Sequence, residues 1–88
     1  MFKRNDSIIF AIELIIDKQI RYNDPPETAH TYRRLISSSF SDSEARRLIY
    51  MALQVELIQL MRYGEAFNNT RFVNNLGSLP DLPEAELN

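Results

Sequence analysis

The stretch SDSEARRLIYMALQVELIQLMRYG, from Ser41 to Gly64, decides the fold because a start signal, a long apolar pattern and a stop signal agree on one helix. Ser41 followed three residues later by Glu44 is a capping box, which satisfies the first free N–H groups of a helix. Gly64 stands where a left-handed C-terminal cap is expected. The apolar residues between them include Leu48, Ile49, Ala52, Leu53, Val55, Leu57, Ile58, Leu60 and Met61. They lie on most sides of the helical wheel, so we expect this helix to be central and covered by several neighbours.

Length and composition bound the class of protein. A chain of 88 residues, 44% hydrophobic and 25% charged, is typical of one small globular domain. Without cysteine it can form no disulfide or thiolate metal site, so its stability depends on packing or association. A net charge of −2 provides no general attraction to nucleic acid or anionic lipid. We predict a single helical domain over residues 1–88, with a disordered tail at 84–88, in the cytoplasm.

The N-terminal segment superficially imitates a signal peptide. Lys3 and Arg4 precede an apolar run, but Glu13 and Asp17 interrupt that run and no small-residue cleavage site follows. No apolar stretch reaches the roughly 20 residues that a membrane-crossing helix needs. We therefore interpret this segment as part of the folded domain and predict no membrane partner.

The first helix is predicted from about Ser7 to Tyr22. Six isoleucines in this stretch would also fit a β-strand. The polar residues Glu13, Asp17 and Arg21, however, recur every four positions, which is helical spacing. Because the polar stripe is narrow, this helix too should be covered on more than one side.

The second helix is predicted to begin at Asp24-Pro25-Pro26-Glu27, with Asp24 as the N-cap and proline in the first turn. It should end at about Ile36 or Ser37. Arg33 and Arg34 are expected to face water on the side opposite its modest apolar stripe.

A short fourth helix is predicted after Gly64. Asn68 or Asn69 supplies its N-cap, Gly77 ends it, and Phe67 is expected to pack back on the domain. The segment Leu79–Pro83 cannot continue a helix, because two leucines alternate with prolines. It suits an extended strap against an apolar surface.

Two polar residues fall where apolar residues are expected. Glu56 lies in the middle of an apolar sector of the Ser41–Gly64 helix, and Gln19 lies between Ile8, Ile12 and Ile15 on the first helix. Burial of such groups is costly unless they are paired. We interpret both as structural polar residues satisfied by hydrogen bonds or ion pairs. The alternative is a buried polar pair that fixes helix register or subunit pairing.

Glu13, Asp17 and Glu56 are the weak candidates for a metal site, of the carboxylate kind found in helical bundles. The usual two-metal pattern needs a Glu followed three residues later by a His on each of two helices, and this chain has neither copy. His30, the single histidine, is expected to be solvated. No nucleophile elbow, glycine-rich loop or second histidine is present. We predict no metal, no cofactor and no conventional enzyme.

The basic pairs Arg33-Arg34 and Arg46-Arg47 flank the predicted turn between the second and third helices, which invites a helix-turn-helix hypothesis. The supposed recognition helix would be unusually long and mostly buried, and the chain is acidic. The preferred interpretation is that these arginines are solvated and pair with Asp42, Glu44 and their neighbours. We therefore predict no nucleic-acid partner.

The order of several short motifs resembles a family of small bacterial helical proteins of unknown function, from about Ile12 to Pro83. The motifs are Asp24-Pro25-Pro26-Glu27-Thr28, Ser43-Glu44-Ala45, Val55-Glu56, Phe67-Asn68 with Arg71-Phe72-Val73, and Leu79-Pro80-Asp81-Leu82-Pro83. Relatives often carry histidines in the first helix before a carboxylate and a glutamine, the last two matching Asp17 and Gln19. This chain has Phe10 and Glu13 in place of those histidines. The resemblance implies a bacterial source and a helical fold, and no activity.

These observations predict an all-α domain of three main helices plus a short fourth. Apolar residues on the first and third helices exceed what three neighbours can cover, so we expect a twofold homodimer that completes a helical bundle. The predicted interface residues are Ile8, Ile12, Ile15, Leu53 and Leu60. The leading functional hypothesis is a non-enzymatic interaction or assembly module with an unknown protein partner. The alternatives are a metal-binding protein that uses the three carboxylates or, less favoured, a DNA-binding protein.

Overall fold

The computed structural model of the chain describes the backbone of residues 6–81 and the side chains of residues 10–81, and its regular elements there are all α-helices. They are α1 (Asp6–Tyr22), α2 (Pro26–Ser37), α3 (Asp42–Tyr63) and α4 (Asn69–Ser78). The predicted all-α class, with three main helices and a short fourth, is confirmed. The predicted tail at 84–88 and the end of the predicted strap lie outside the described residues. Within the described part, no helix has both the length and the hydropathy required to cross a bilayer.

Both predicted ends of α3 are confirmed. The Ser41 backbone N–H donates to Glu44 Oε1 at 2.9 Å, and the Glu44 N–H donates to Ser41 Oγ at 3.1 Å, which completes the capping box. Gly64 has a φ of 67°, in the left-handed region, and its N–H donates to the Leu60 carbonyl at 2.9 Å. The longest helix of the domain is therefore delimited by local signals that a short stretch of sequence carries.

The start of α2 and the end of α4 differ from the predictions. The N-cap of α2 is Pro25, without a side-chain cap, so Asp24 lies one residue too early to cap the helix. The predicted stop at Gly77 is also wrong, because α4 continues to Ser78. The backbone of the next residue, Leu79, is extended, with a ψ of 139°. The residue before a proline disfavours helical backbone, so Pro80 rather than the glycine ends the helix.

The core lies among all four helices. Helices α2 and α3 each pack against the other three, whereas α1 packs against α2 and α3. The buried apolar cluster consists of Ile12, Ile16, Leu35, Ala45, Ile49, Ala52, Leu53, Phe72, Leu76 and Leu79. Leu79 follows α4 and is only 1% exposed, so the first part of the predicted strap does cover apolar surface. The expected central position of α3 is shared with α2.

Helix α3 extends beyond the helices that cover its first part. Its first part supplies buried side chains such as Ile49 and Leu53, whereas every side chain from Leu60 to Thr70 is exposed. Coverage on several sides therefore holds for the first part of α3 and fails at its C-terminal end.

Candidate interaction surface

A fully buried carboxylate joins α3 to the start of α4. Glu56 has 0% exposure, and its Oε2 accepts a hydrogen bond from Arg71 Nε at 2.6 Å. Its Oε1 accepts from Arg71 Nη2 at 3.0 Å and from the Asn68 backbone N–H at 2.8 Å. The carboxylate thus has the ionic and hydrogen-bonding partners that a buried charge requires.

Asn68 belongs to the same junction and caps α4, as predicted. Its Oδ1 accepts from the Arg71 N–H at 3.0 Å, while its own N–H is held by Glu56. Glu56 of α3 and Arg71 of α4, together with the Asn68 cap, therefore hold the first turn of α4 against α3. Because the charges of Glu56 and Arg71 are paired with each other, this cluster has a structural role.

Gln19 has a different environment from Glu56. Its side chain is half-buried, and its Oε1 is shielded from water without a hydrogen-bond partner among the described residues. The expectation that this oxygen would be satisfied within the chain is therefore not met. Glu56 and Gln19 do not form the buried polar pair considered as an alternative, because the Glu56 contacts above are made with Arg71 and Asn68.

The three carboxylates considered for a metal have separate surroundings. Glu13 is exposed, Asp17 pairs with Arg21 at 2.9 Å and lies 3.5 Å from Arg46, and Glu56 is held in the α3–α4 junction. Among side chains 10–81, no three histidine, aspartate or glutamate residues are placed to hold a metal ion. The described structure thus gives the metal-binding alternative no assembled ligand set.

An exposed network joins α1, α2 and α3, and we call it the Asp42–Arg46 network. The Tyr32 hydroxyl donates to Asp42 Oδ1 at 2.6 Å, and Arg46 Nε donates to the same oxygen at 2.9 Å. The Arg46 guanidinium lies 5.5 Å from the centre of the Tyr32 ring, and also approaches Asp17 on α1. The hydrogen bond from Tyr32, followed by that from Arg46, lowers the pKa of Asp42, and the bond to Asp42 raises the pKa of Tyr32.

One member of each predicted arginine pair is occupied within the chain. Arg33 is exposed as predicted, but Arg34 is half-buried and donates to the carbonyls of Leu79 and Leu76 at 2.8 and 3.0 Å. A cation fits this position because it lies at the C-terminal end of α4, where the helix dipole is negative. Arg46 is held in the Asp42–Arg46 network. Arg34 and Arg46, two of the four arginines on which the helix-turn-helix hypothesis depends, are therefore engaged in contacts within the chain.

A cleft of about 440 Å³ lies between α2 and α4. Its lining residues are Asn23, Pro26, Glu27, His30, Thr31, Arg33, Val73, Leu76 and Gly77. His30 is exposed at this cleft, as expected of a solvated histidine. The cleft is wide open, and Glu27 and Arg33 give its lining charges of both signs. This composition selects no particular ligand.

The side of α1 that faces away from the core is apolar in its first half and carries the exposed Lys18 and Arg21 in its second half. Ile12 and Ile16 are 5% and 1% exposed and point into the core, while Phe10 and Tyr22 are each 67% exposed. We call the exposed side the α1 outer face, which consists of Phe10, Ala11, Leu14, Ile15, Lys18 and Tyr22. These positions are spaced by three or four residues and therefore share one side of the helix. Helices α2 and α3 leave this side uncovered.

The predicted interface residues divide between the core and the surface. Ile12 and Leu53 are buried in the core of the chain itself, so in this conformation a second chain could not contact them. The side chain of Ile8 lies outside the described residues. Ile15 and Leu60 are 44% and 48% exposed and are accessible to a partner. The sequence pattern identified the apolar excess on α1 but not which side of the helix α2 and α3 would take.

A second group of exposed apolar residues lies where α3 extends beyond the core, and we call it the α3 terminal patch. It consists of Leu60, Met61, Tyr63 and Phe67. Phe67 packs back as expected, with its ring 5.4 Å from the buried Phe72 ring, yet it remains 46% exposed. Leu60 and Tyr63 are three residues apart and lie on one side of α3, but Met61 and Tyr63 are about 160° apart around the helix and point to opposite sides. The patch is therefore not a single helix face.

No family model, curated protein or solved structure matches this chain. The resemblance to small bacterial helical proteins stays a prediction.

Proposed function

We propose that this protein is a non-enzymatic protein-interaction module and that the α1 outer face is its docking surface. The observation that carries the proposal is the group of exposed apolar side chains on one side of α1, namely Phe10, Leu14 and Ile15, with Tyr22 beyond Lys18. Contiguous exposed apolar surface in a folded protein marks sites of association. A regular helix with apolar residues at intervals of three and four is also a common recognition element.

The placement of the charged residues supports a role without catalysis. Glu56 is occupied by Arg71 and Asn68, and Asp42 is occupied by Tyr32 and Arg46. Acid–base or nucleophilic catalysis needs a reactive group and its base or acid within hydrogen-bond reach of a substrate. The charged groups in these two clusters instead hold helices together.

The α1 outer face suits docking better than the α3 terminal patch. Ile12 and Ile16 anchor α1 in the core from the opposite side, so the outer face is presented on a helix of fixed orientation. In the patch, by contrast, the side chains of Met61 and Tyr63 point to opposite sides of α3. A partner could cover the α1 outer face with one helix or groove, whereas the patch offers no common direction.

Affinity capture with three matched baits tests the proposal. The baits are the wild-type chain, Leu14→Lys in the α1 outer face, and Leu60→Lys in the α3 terminal patch. Leu14 and Leu60 are 46% and 48% exposed, so the two variants make the same chemical change at equal exposure on different surfaces. With isotope-labelled baits, which separate an endogenous copy of this chain from the bait itself, quantitative mass spectrometry of a lysate of the source organism should identify the same bound protein on the wild-type and Leu60→Lys baits, and lose it on Leu14→Lys.

The control for this experiment is the fold of the two variants. Because both positions are exposed, circular dichroism and urea unfolding should show stabilities within about 0.5 kcal/mol of wild type. A captured protein that binds the Leu14→Lys and wild-type baits equally would contradict the assignment of the docking surface to α1.

A further inference from the structure

We infer that the partner of the α1 outer face is a second copy of this chain, bound across a twofold axis with the two α1 helices antiparallel. This inference rests on the proposed function, because it concerns the same surface. Closed twofold pairs are the commonest association of a chain with itself. The α1 outer face has the property that such a pair requires, namely that its two halves complement each other.

The distribution of charge along α1 favours the antiparallel orientation. The first half of the outer face is apolar, with Phe10, Leu14 and Ile15, whereas the second half carries Lys18, and the neighbouring Arg21 is paired with Asp17. A parallel pair would place the two copies of Lys18 side by side, and like charges in contact are unfavourable. An antiparallel pair places each basic half against the apolar half of the other copy.

An axis that passes beside Leu14 brings matched groups together. Leu14 of one copy then faces Leu14 of the other, and Lys18 lies beside Phe10, since each is four residues, about 6 Å, from the axis. The aliphatic stem of lysine can cover an aromatic ring while its ammonium group lies over the ring face or reaches water. Ala11, a small residue on the same side, permits close approach of the helices. Opposed helix dipoles also favour this orientation.

The size of the surface predicts a weak dimer. Helix α1 has 17 residues and is about 25 Å long. With two-thirds of each residue exposed, Phe10 and Tyr22 offer roughly 100–170 Å² apiece. A single helix face of this kind is smaller than the roughly 800 Å² per partner of a standard interface. We therefore expect association with a dissociation constant in the micromolar range, about 1–100 µM.

Sedimentation equilibrium from roughly 1 µM to 1 mM tests the association. Wild type and Leu60→Lys should dimerise alike, and Leu14→Lys should weaken the dimer at least about tenfold, because it puts two ammonium groups together at the axis. A wild-type chain that stays monomeric throughout this range would overturn the inference. So would an equal weakening by Leu14→Lys and Leu60→Lys.

Introduced cysteines test the orientation, and the absence of native cysteine makes the result unambiguous. In the antiparallel pair the two copies of residue 14 meet, so Leu14→Cys should form a disulfide-linked dimer under mild oxidation. The two copies of residue 22 are then separated by about 24 Å along the helices, far beyond the roughly 7 Å limit between Cα atoms. Tyr22→Cys should therefore remain unlinked. Efficient linkage of Tyr22→Cys would indicate a parallel pair and overturn the assigned geometry.

The two proposals fail in distinguishable ways. If the chain is monomeric but the captured protein is still lost on Leu14→Lys, the second copy is the wrong partner and the docking surface stands. If Leu14→Lys changes neither self-association nor capture, both proposals are wrong.

Discussion

Two clusters of charged residues join the helices of this protein, and they differ most in their access to water. At the α3–α4 junction, Glu56 is wholly buried and Arg71 has a side-chain exposure of 19%. In the Asp42–Arg46 network, the corresponding exposures are 60% for Asp42 and 34% for Arg46. Similar ionic contacts are therefore made at one site that is largely shielded from water and at one that water enters.

This difference decides what each cluster contributes. Loss of one member of a buried pair strands the other charge away from water, which costs far more than the pair itself contributes. Loss of one member of an exposed pair leaves a charge that water solvates and salt screens. We expect the α3–α4 junction to be essential to the fold, and the Asp42–Arg46 network to adjust stability by a small amount.

The largest effect is expected from Arg71→Met. The substitution keeps an extended side chain but leaves the Glu56 carboxylate buried with the Asn68 N–H as its remaining donor among the hydrogen bonds described above. The free energy of unfolding should fall by about 3–5 kcal/mol, measured by urea denaturation at neutral pH. Arg62→Met on the exposed end of α3 is the control and should change stability by less than about 0.5 kcal/mol.

If Arg71→Met lowers the free energy of unfolding by less than about 1 kcal/mol, the α3–α4 junction contributes no more than a surface ion pair, and the expected difference between the two clusters is wrong.

The double variant Glu56→Met with Arg71→Met should be more stable than Arg71→Met alone. It removes both charges and fills the space with apolar atoms, a replacement that is often neutral for a buried ion pair. The Asn68 N–H loses its acceptor, so a net loss of about 1–3 kcal/mol against wild type should remain. A double-mutant cycle with Glu56→Met completes the measurement. If the double variant is less stable than Arg71→Met, the stranded-charge explanation is wrong.

The distance along the chain between contacting residues explains how much of the structure the sequence could predict. The Ser41–Glu44 capping box and the Gly64 cap depend on contacts between residues at most six apart in the chain, so they were predictable to the residue. Glu56 stood out because helical periodicity placed a charge in an apolar sector. Its partner Arg71 is 15 residues away, across a turn whose path periodicity does not determine. The pairing therefore needed the tertiary structure.

Two further differences, at Arg34 and on α1, also come from tertiary contacts. Arg34 looked solvated because its own helix gives it a polar neighbourhood, yet it binds carbonyls more than 40 residues further along the chain. The sequence indicated that α1 was apolar on most sides. It could not indicate that α2 and α3 would cover the side of Ile12 and Ile16 and leave Phe10 and Leu14 exposed.

A smaller effect is expected from Arg46→Met in the exposed network. Asp42 keeps its hydrogen bond from Tyr32 and Asp17 keeps its pair with Arg21, and both carboxylates are open to water. The loss should be about a quarter or less of that of Arg71→Met. It should also shrink further in about 1 M salt, where charges are screened within roughly 3 Å. The control is Arg47→Met, an exposed arginine one residue along α3, and a salt-independent loss for Arg46→Met would contradict the assignment.

The smallest effect is the acid dependence that Tyr32 imposes on Asp42. The hydrogen bond from Tyr32, ahead of that from Arg46, lowers the pKa of Asp42 in the folded state below its ordinary value of 3.8. Folding therefore favours the ionised carboxylate. The resulting stability is present above pH 3.8 and is lost as the pH falls through the lowered folded value. Tyr32→Phe removes the larger cause, so an NMR titration should show the pKa of Asp42 moving up towards 3.8, and the loss of stability in acid should become shallower. Tyr50→Phe is the matched control and should leave both measurements unchanged, whereas an unmoved Asp42 titration in Tyr32→Phe would assign the shift to Arg46 alone.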